Sequence, residues 1–171
     1  MRTMALSSLF QLIEHTAVAA WVREDDFAFP LLDAVHVCAI MFVLGSIVIM
    51  DLRLLGATSR LDRVTQVSRE ALPWTWSAFG LAVLSGALLM SGQAEAYAAN
   101  TQFRLKMALL LGAGINMLMF HFLAWRRVGE WDCARPPPLP AGLAGGLSLA
   151  LWIGVAIAGR WVGWTVSAAP Y

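Results

Sequence analysis

Four stretches of the chain are almost continuously apolar: about 30–54, 74–92, 103–125 and 141–164. Each is near 20 residues, enough for a helix rising about 1.5 Å per residue to cross a hydrocarbon core of about 30 Å. The pattern therefore predicts four transmembrane helices. The centre of the first run, Ala34 to Met50, holds one ionisable residue, His36, with Asp33 and Asp51 marking its two ends. Pro73 suits the first turn of the second helix, and Pro136-Pro137-Pro138 breaks the chain before the fourth. Upstream, Leu6, Leu9, Phe10, Ile13 and Ala17 recur at helical spacing opposite Ser7, Ser8, Gln11 and Glu14. That periodicity predicts an amphipathic helix in the membrane interface, ending near Trp21. Met1-Arg2 and the run Ala17-Val18-Ala19-Ala20 are signal-like, but Gln11, Glu14 and His15 interrupt the apolar core a secretory signal needs. The stretch from Thr58 to Leu72 sets Leu61, Val64, Val67 and Leu72 against Arg60, Asp62, Arg63, Arg69 and Glu70, and is read as a segment lying along the inner surface.

Composition supports the same class. The chain is 171 residues long, 59% hydrophobic and 13% charged, where a water-soluble domain carries about 25% charged residues. Four helices and their loops use most of that length, so a single membrane domain over 1–171 is expected: an all-α four-helix bundle with the lipid bilayer as its main partner. A net charge of +1 and the absence of a long basic run argue against nucleic-acid binding. Orientation follows from the basic residues. Arg53, Arg60, Arg63, Arg69, Arg126, Arg127 and Arg135 share one side; Arg2, Arg23, Arg104, Lys106 and Arg160 share the other. The larger group is placed in the cytoplasm and both termini in the periplasm of a bacterial inner membrane. Trp21, Trp74, Trp76, Trp125, Trp161 and Trp164 near span ends fit an interfacial aromatic belt. Cys38 and Cys133 fall at different depths, so no disulfide is expected.

Polar groups at membrane depth cost about 2.5–3.5 kcal/mol each on insertion scales, so they mark candidate chemistry. Near the outer surface lie Asp33, His36 and Lys106, the only lysine in the chain. Near the inner surface lie Asp51, Arg53 and His121, with Asn116 between the two layers. An imidazole is the usual axial ligand of b-type haem and also suits copper; it can equally hydrogen-bond a neighbouring helix. Asp33, one turn before His36, could orient its ring. Lys106 is either a snorkelling interface lysine or the partner of a carboxylate such as a haem propionate. His36 and His121 differ in depth by about 16 Å, which disfavours one haem held between them. Met90, Met107 or His15 would have to complete a site on His36, and His36 with the two thioethers would also suit Cu(I). Asp51 and Arg53 read as structural residues that pair locally or with lipid headgroups. Gly45, Ser46, Ser85, Gly86, Gly112, Gly114, Gly142, Gly145, Gly146 and Gly154 mark places where helices can approach closely. No hydrolase or phosphate-binding signature occurs.

These residues also carry a resemblance. Phe29-Pro30, Asp33-x-x-His36, Gly45-Ser46, Asp51-Leu-Arg-Leu-Leu-Gly56, Pro73-Trp74-Thr75, Ser85-Gly86, Tyr97-Ala-Ala-Asn100, Phe103-Arg-Leu-Lys106, Gly114-Ile-Asn116 and Phe120-His121 together resemble a bacterial membrane family described as a domain of unknown function. More remotely, His36, Gly45 and Phe103-x-x-Lys106 are similar to the four-helix membrane protoporphyrinogen oxidase, which binds haem b, and to the copper-resistance membrane domain. The oxidase has a histidine near the position of Asn116. The resemblance implies His36 and Lys106 as functional positions. Three functions are therefore open. One is a membrane redox protein holding b-type haem through His36, Lys106, Asp33, Asn116 and His121, with quinone as an electron partner. Another is a copper-handling or small-solute transport protein using His36, His121, Met90 and Met107. The last is a non-catalytic accessory subunit of a larger membrane complex, packing through the Gly-rich fourth helix; self-association into a homo-oligomer is a separate possibility.

Overall fold

Hydrocarbon offers no hydrogen bonds to a peptide backbone, so a spanning segment must satisfy its own N–H and C=O groups as a helix. The computed structural model describes residues 10–57, 63–133 and 137–167 and meets that requirement with four long helices. These are α2 (Ala28–Leu54), α3 (Val64–Ser91), α5 (Thr101–Leu123) and α7 (Leu139–Ser167), and each is long and apolar enough to cross a membrane. Short helices α1 (Ala17–Glu24), α4 (Ala94–Ala99) and α6 (Val128–Trp131) join or cap them. No more than 22% of the most apolar window of any span is buried against the rest of the chain. Phe42, Leu111 and Phe122 are 67%, 68% and 66% exposed. Water would penalise that surface at roughly 25 cal/mol per Å²; lipid does not. The protein is a multi-pass membrane protein.

The helices form two antiparallel pairs. α2 packs along α3, α5 packs along α7, and α2 against α7 joins the pairs. The α3 and α5 backbones make at most glancing contact. Between the pairs, Phe79 of α3 meets Trp152 of α7 edge to face, with ring centres 6.5 Å apart. Glycines set the closest crossings. A Cβ on Gly145 would lie 3.0 Å from Leu54 Cβ and 3.1 Å from the Asp51 carbonyl, so α7 rests directly on α2 there. On the α5–α7 contact, Leu151 fills the space beside Gly112 and Leu109 the space beside Gly154. Asn116 is buried there and donates from Nδ2 to the Ala144 carbonyl at 2.9 Å.

The two ends of the bundle are built differently. The terminal end, where α2 begins and α3 ends, is covered by the N-terminal segment: α1 packs on α2 and α3. Arg23 Nη1 donates to the carbonyls of Glu14 at 2.9 Å and Gly92 at 3.3 Å, and Glu14 Oε1 accepts from the Glu95 backbone N–H at 2.8 Å. At the loop end a small apolar core of Leu54, Val64, Ala124, Trp131 and Ala141 surrounds a buried Arg53. Arg53 Nη2 donates to the Asp132 carbonyl at 3.2 Å. The Asp132 carboxylate in turn accepts from the Thr65 N–H at 2.8 Å and the Thr65 hydroxyl at 2.7 Å, holding the first turn of α3.

Several expectations change. The second spanning helix begins at Val64, and Pro73 lies inside it rather than at its start. Proline removes a donor at that point. The Thr75 and Ser77 hydroxyls donate at 2.9 Å to the Ala71 and Pro73 carbonyls beside it. The part of the predicted surface segment from Val64 to Leu72 is thus the first part of α3, and its Thr58–Asp62 part lies outside the described residues. The N-terminal helix is interrupted by a turn at His15-Thr16, after which Thr16 caps α1 and carries it past Trp21 to Glu24; Leu6, Ser7, Ser8 and Leu9 lie outside the described residues. Arg53 donates to the Asp132 backbone carbonyl, one of the local pairings open to it.

Candidate functional site

α2 is apolar all round, so a histidine in its first half must find a partner on a neighbouring helix. His36 finds α3. Its Nδ1 lies 3.0 Å from Ser85 Oγ. The Ser85 hydroxyl has one proton, and its shortest bond is to the Leu81 carbonyl at 2.7 Å, with the Ala82 carbonyl at 3.3 Å. With the Ser85 proton on a carbonyl, Ser85 accepts from His36 Nδ1. Gly86 makes this approach possible: a Cβ there would lie 2.8 Å from His36 Cε1 and 3.3 Å from Nδ1. Any side chain at position 86 would push the ring away.

Two charged residues share this half of the bundle, Lys106 on α5 and Asp33 one turn before His36 on α2. The Lys106 side chain lies along α7, with Cδ, Cε and Nζ each 3.7 Å from where a Gly159 Cβ would be. It is half-buried and turned into the bundle, not splayed into lipid. α5 is fixed at this depth by Asn100, whose Oδ1 accepts from the Gln102 and Phe103 N–H groups at 2.9 and 3.0 Å. Asn100 Nδ2 also donates to Thr165 Oγ1 at 2.7 Å, tying α5 to the end of α7. Tyr97 on α4 closes the terminal side against Phe103, with ring centres 5.6 Å apart. Burial, and after it the Asp33 carboxylate, pushes the Tyr97 phenol up from its ordinary value.

The terminal half of the bundle thus holds two contacts, His36 with Ser85 and Gly86 between α2 and α3, and Lys106 with Gly159 between α5 and α7, with Asp33 and Tyr97 in the same half. Met90 stands one turn from Gly86 on α3 and is half-buried. Met107 is 49% exposed on the outside of α5. His15 sits in the turn before α1 and is exposed. His121 is not part of the cluster: it lies in the last turn of α5, exposed, with its ring 5.7 Å from Trp125 and 6.0 Å from Phe120. Asn116 serves the α5–α7 contact. Among the described residues no group of three or more His, Cys, Asp or Glu side chains could hold a metal ion. Ser85 and Gly86 were legible as small residues, but their pairing with His36 depends on the register of α2 against α3, which periodicity does not fix.

No curated protein and no solved structure matches the chain. A family profile does, over residues 27–165, a stretch that takes in all the spanning helices but for the last residues of α7. The chain belongs to that family, described as a family of unknown function (DUF6644).

Proposed function

We propose that this protein is a membrane redox protein that binds b-type haem in the terminal half of its bundle. The observation that carries the reading is the contact of His36 Nδ1 with Ser85 Oγ. With Nδ1–H given to Ser85, the ring presents the Nε2 lone pair within an apolar bundle, the state a metal-ligating imidazole adopts when its other nitrogen is held by a second partner. Lys106 supplies the cation that a haem propionate needs, and Asp33 keeps that end of the site polar. Gly86 lets the His36 ring seat against α3, and Gly159 lets the Lys106 side chain lie along α7. Met90 is the thioether best placed to act as a further ligand. When bound, haem supplies one-electron exchange, and quinone in the bilayer is the proposed partner. His36 and Lys106 are also the positions that the remote likeness to the haem-binding oxidase implies. The arginines of the loop end, Arg63, Arg69, Arg126 and Arg127, support placing that end in the cytoplasm of a bacterial inner membrane, with both termini periplasmic.

The test is haem content. Protein purified from cells supplied with a haem precursor should show a Soret band and yield b-type haem on pyridine extraction. Lys106→Met should lower the haem retained. No Soret band and no extractable haem would overturn the proposal. Copper recovered instead, and lost in His36→Ala, would move the same site to metal handling. A colourless, metal-free protein that co-purifies with a larger membrane complex would favour an accessory subunit.

A further inference from the structure

The loop end carries a second intramembrane titratable group that the haem reading does not use. Asp51 lies in the last turn of α2 and is 5% exposed. The Ser148 side chain of α7 lies beside its carboxyl group. One carboxyl oxygen, Oδ2, is fully buried and has no hydrogen-bond partner among the described residues. α7 is pressed against the Asp51 backbone at Gly145, so Asp51 lies within the α2–α7 contact.

Along α7 the only charged residue is Arg160, at the terminal end. On α2, Arg53 turns to the Asp132 carbonyl, while Asp33 and His36 lie in the opposite half. On α3, Arg69 and Glu70 are exposed, and Glu70 lines an outward groove with Gln66 and Trp74. Asp132, in the loop beyond α6, is bound to Thr65. The helix itself adds to the imbalance, because the C-terminal end of α2 carries partial negative charge and disfavours an anion. A buried carboxylate with one oxygen unpaired is among the most costly groups a membrane protein can hold. The acid form removes that charge.

We infer that Asp51 is a proton-exchange site: it carries a proton on Oδ2 within the membrane and releases it to water at the loop end. The step is a simple acid dissociation, in which the O–H bond breaks, the electron pair stays on Oδ2 and the proton passes to solvent. Ser148 stands beside the carboxyl on α7. The inference stands on Asp51 and Ser148 alone and is independent of haem.

Infrared difference spectroscopy of the full-length protein in lipid tests it. Wild type minus Asp51→Asn at neutral pH should show a protonated carboxylic C=O band, and that band should shift in D2O. Ser148→Ala should keep the band and move its frequency; it also serves if Asp51→Asn fails to fold. Only carboxylate bands in the difference spectrum would overturn the inference. A carboxylic band that does not exchange in D2O would also overturn it, since Asp51 would then be a sealed structural acid.

Discussion

Gly86→Ala isolates the contact on which the functional reading depends. The new Cβ would lie 2.8 Å from His36 Cε1, ~0.7 Å inside ordinary carbon–carbon contact. The Gly86 backbone is locked in α3, so the imidazole must retreat. The Nδ1–Oγ distance of 3.0 Å leaves little slack, and a retreat of that size breaks the bond. Hydrogen bonds between membrane helices contribute about 0.6 kcal/mol on average and up to about 1.7. Alanine gains about 1 kcal/mol over glycine in a helix. The two effects nearly cancel at position 86. Gly80, on the same helix, has nothing within 4 Å of its would-be Cβ, so Gly80→Ala should show the gain alone. Gly86→Ala should therefore be less stable than Gly80→Ala by about 0.6–1.7 kcal/mol. Ser85→Ala should cost about that much in wild type and almost nothing in the Gly86→Ala background. Reversible denaturation in detergent measures all four. Equal stability of the two alanine variants, with Ser85→Ala costing the same in both backgrounds, would refute the contact.

Three further outcomes follow from other parts of the fold. Gly145→Ala should lose about 1–3 kcal/mol by overpacking against Leu54 and the Asp51 backbone, whereas Gly146→Ala, which meets only Leu55 Cδ2 at 3.7 Å, should be neutral or stabilising; melting curves separate them. Asp132→Ala should cost about 1 kcal/mol through loss of the Thr65 cap, read as a lower melting temperature. That cap is also pH-dependent. Partial burial pushes the Asp132 carboxyl up, but the Thr65 N–H and hydroxyl, with Arg63 and Arg53 beside it, outweigh burial and hold it below the usual carboxylate range. A carboxyl lowered in the folded state contributes fully above its unfolded value of about 3.9 and loses that contribution as pH falls through the folded one. Melting temperatures of wild type and Asp132→Asn should therefore converge only as the pH falls below about 4.

The spanning helices were legible because lipid imposes a length and a polarity that composition cannot disguise. Their ends were less so. Pro73 has the chemistry of a helix start, yet α3 runs through it, and Asp132, far along the chain, caps the helix nine residues earlier at Thr65. That cap joins residues from two separate loops, a pairing no local pattern contains. At the site, the cost of a lone histidine and lysine in apolar helices singled out His36 and Lys106. Their partners Ser85, Gly86 and Gly159 depend on helix register. Asp51 was legible as a charged span end, but its burial against α7 follows from Gly145 and Ser148, which look on their own like ordinary packing residues.

The central claim is that one histidine of three carries the iron. Reduced-minus-oxidised spectra of wild type, His15→Ala, His36→Ala and His121→Ala, purified in parallel, test it directly. The account predicts a b-type haem spectrum in wild type, His15→Ala and His121→Ala, and its loss in His36→Ala alone. A haem spectrum that survives His36→Ala would contradict it.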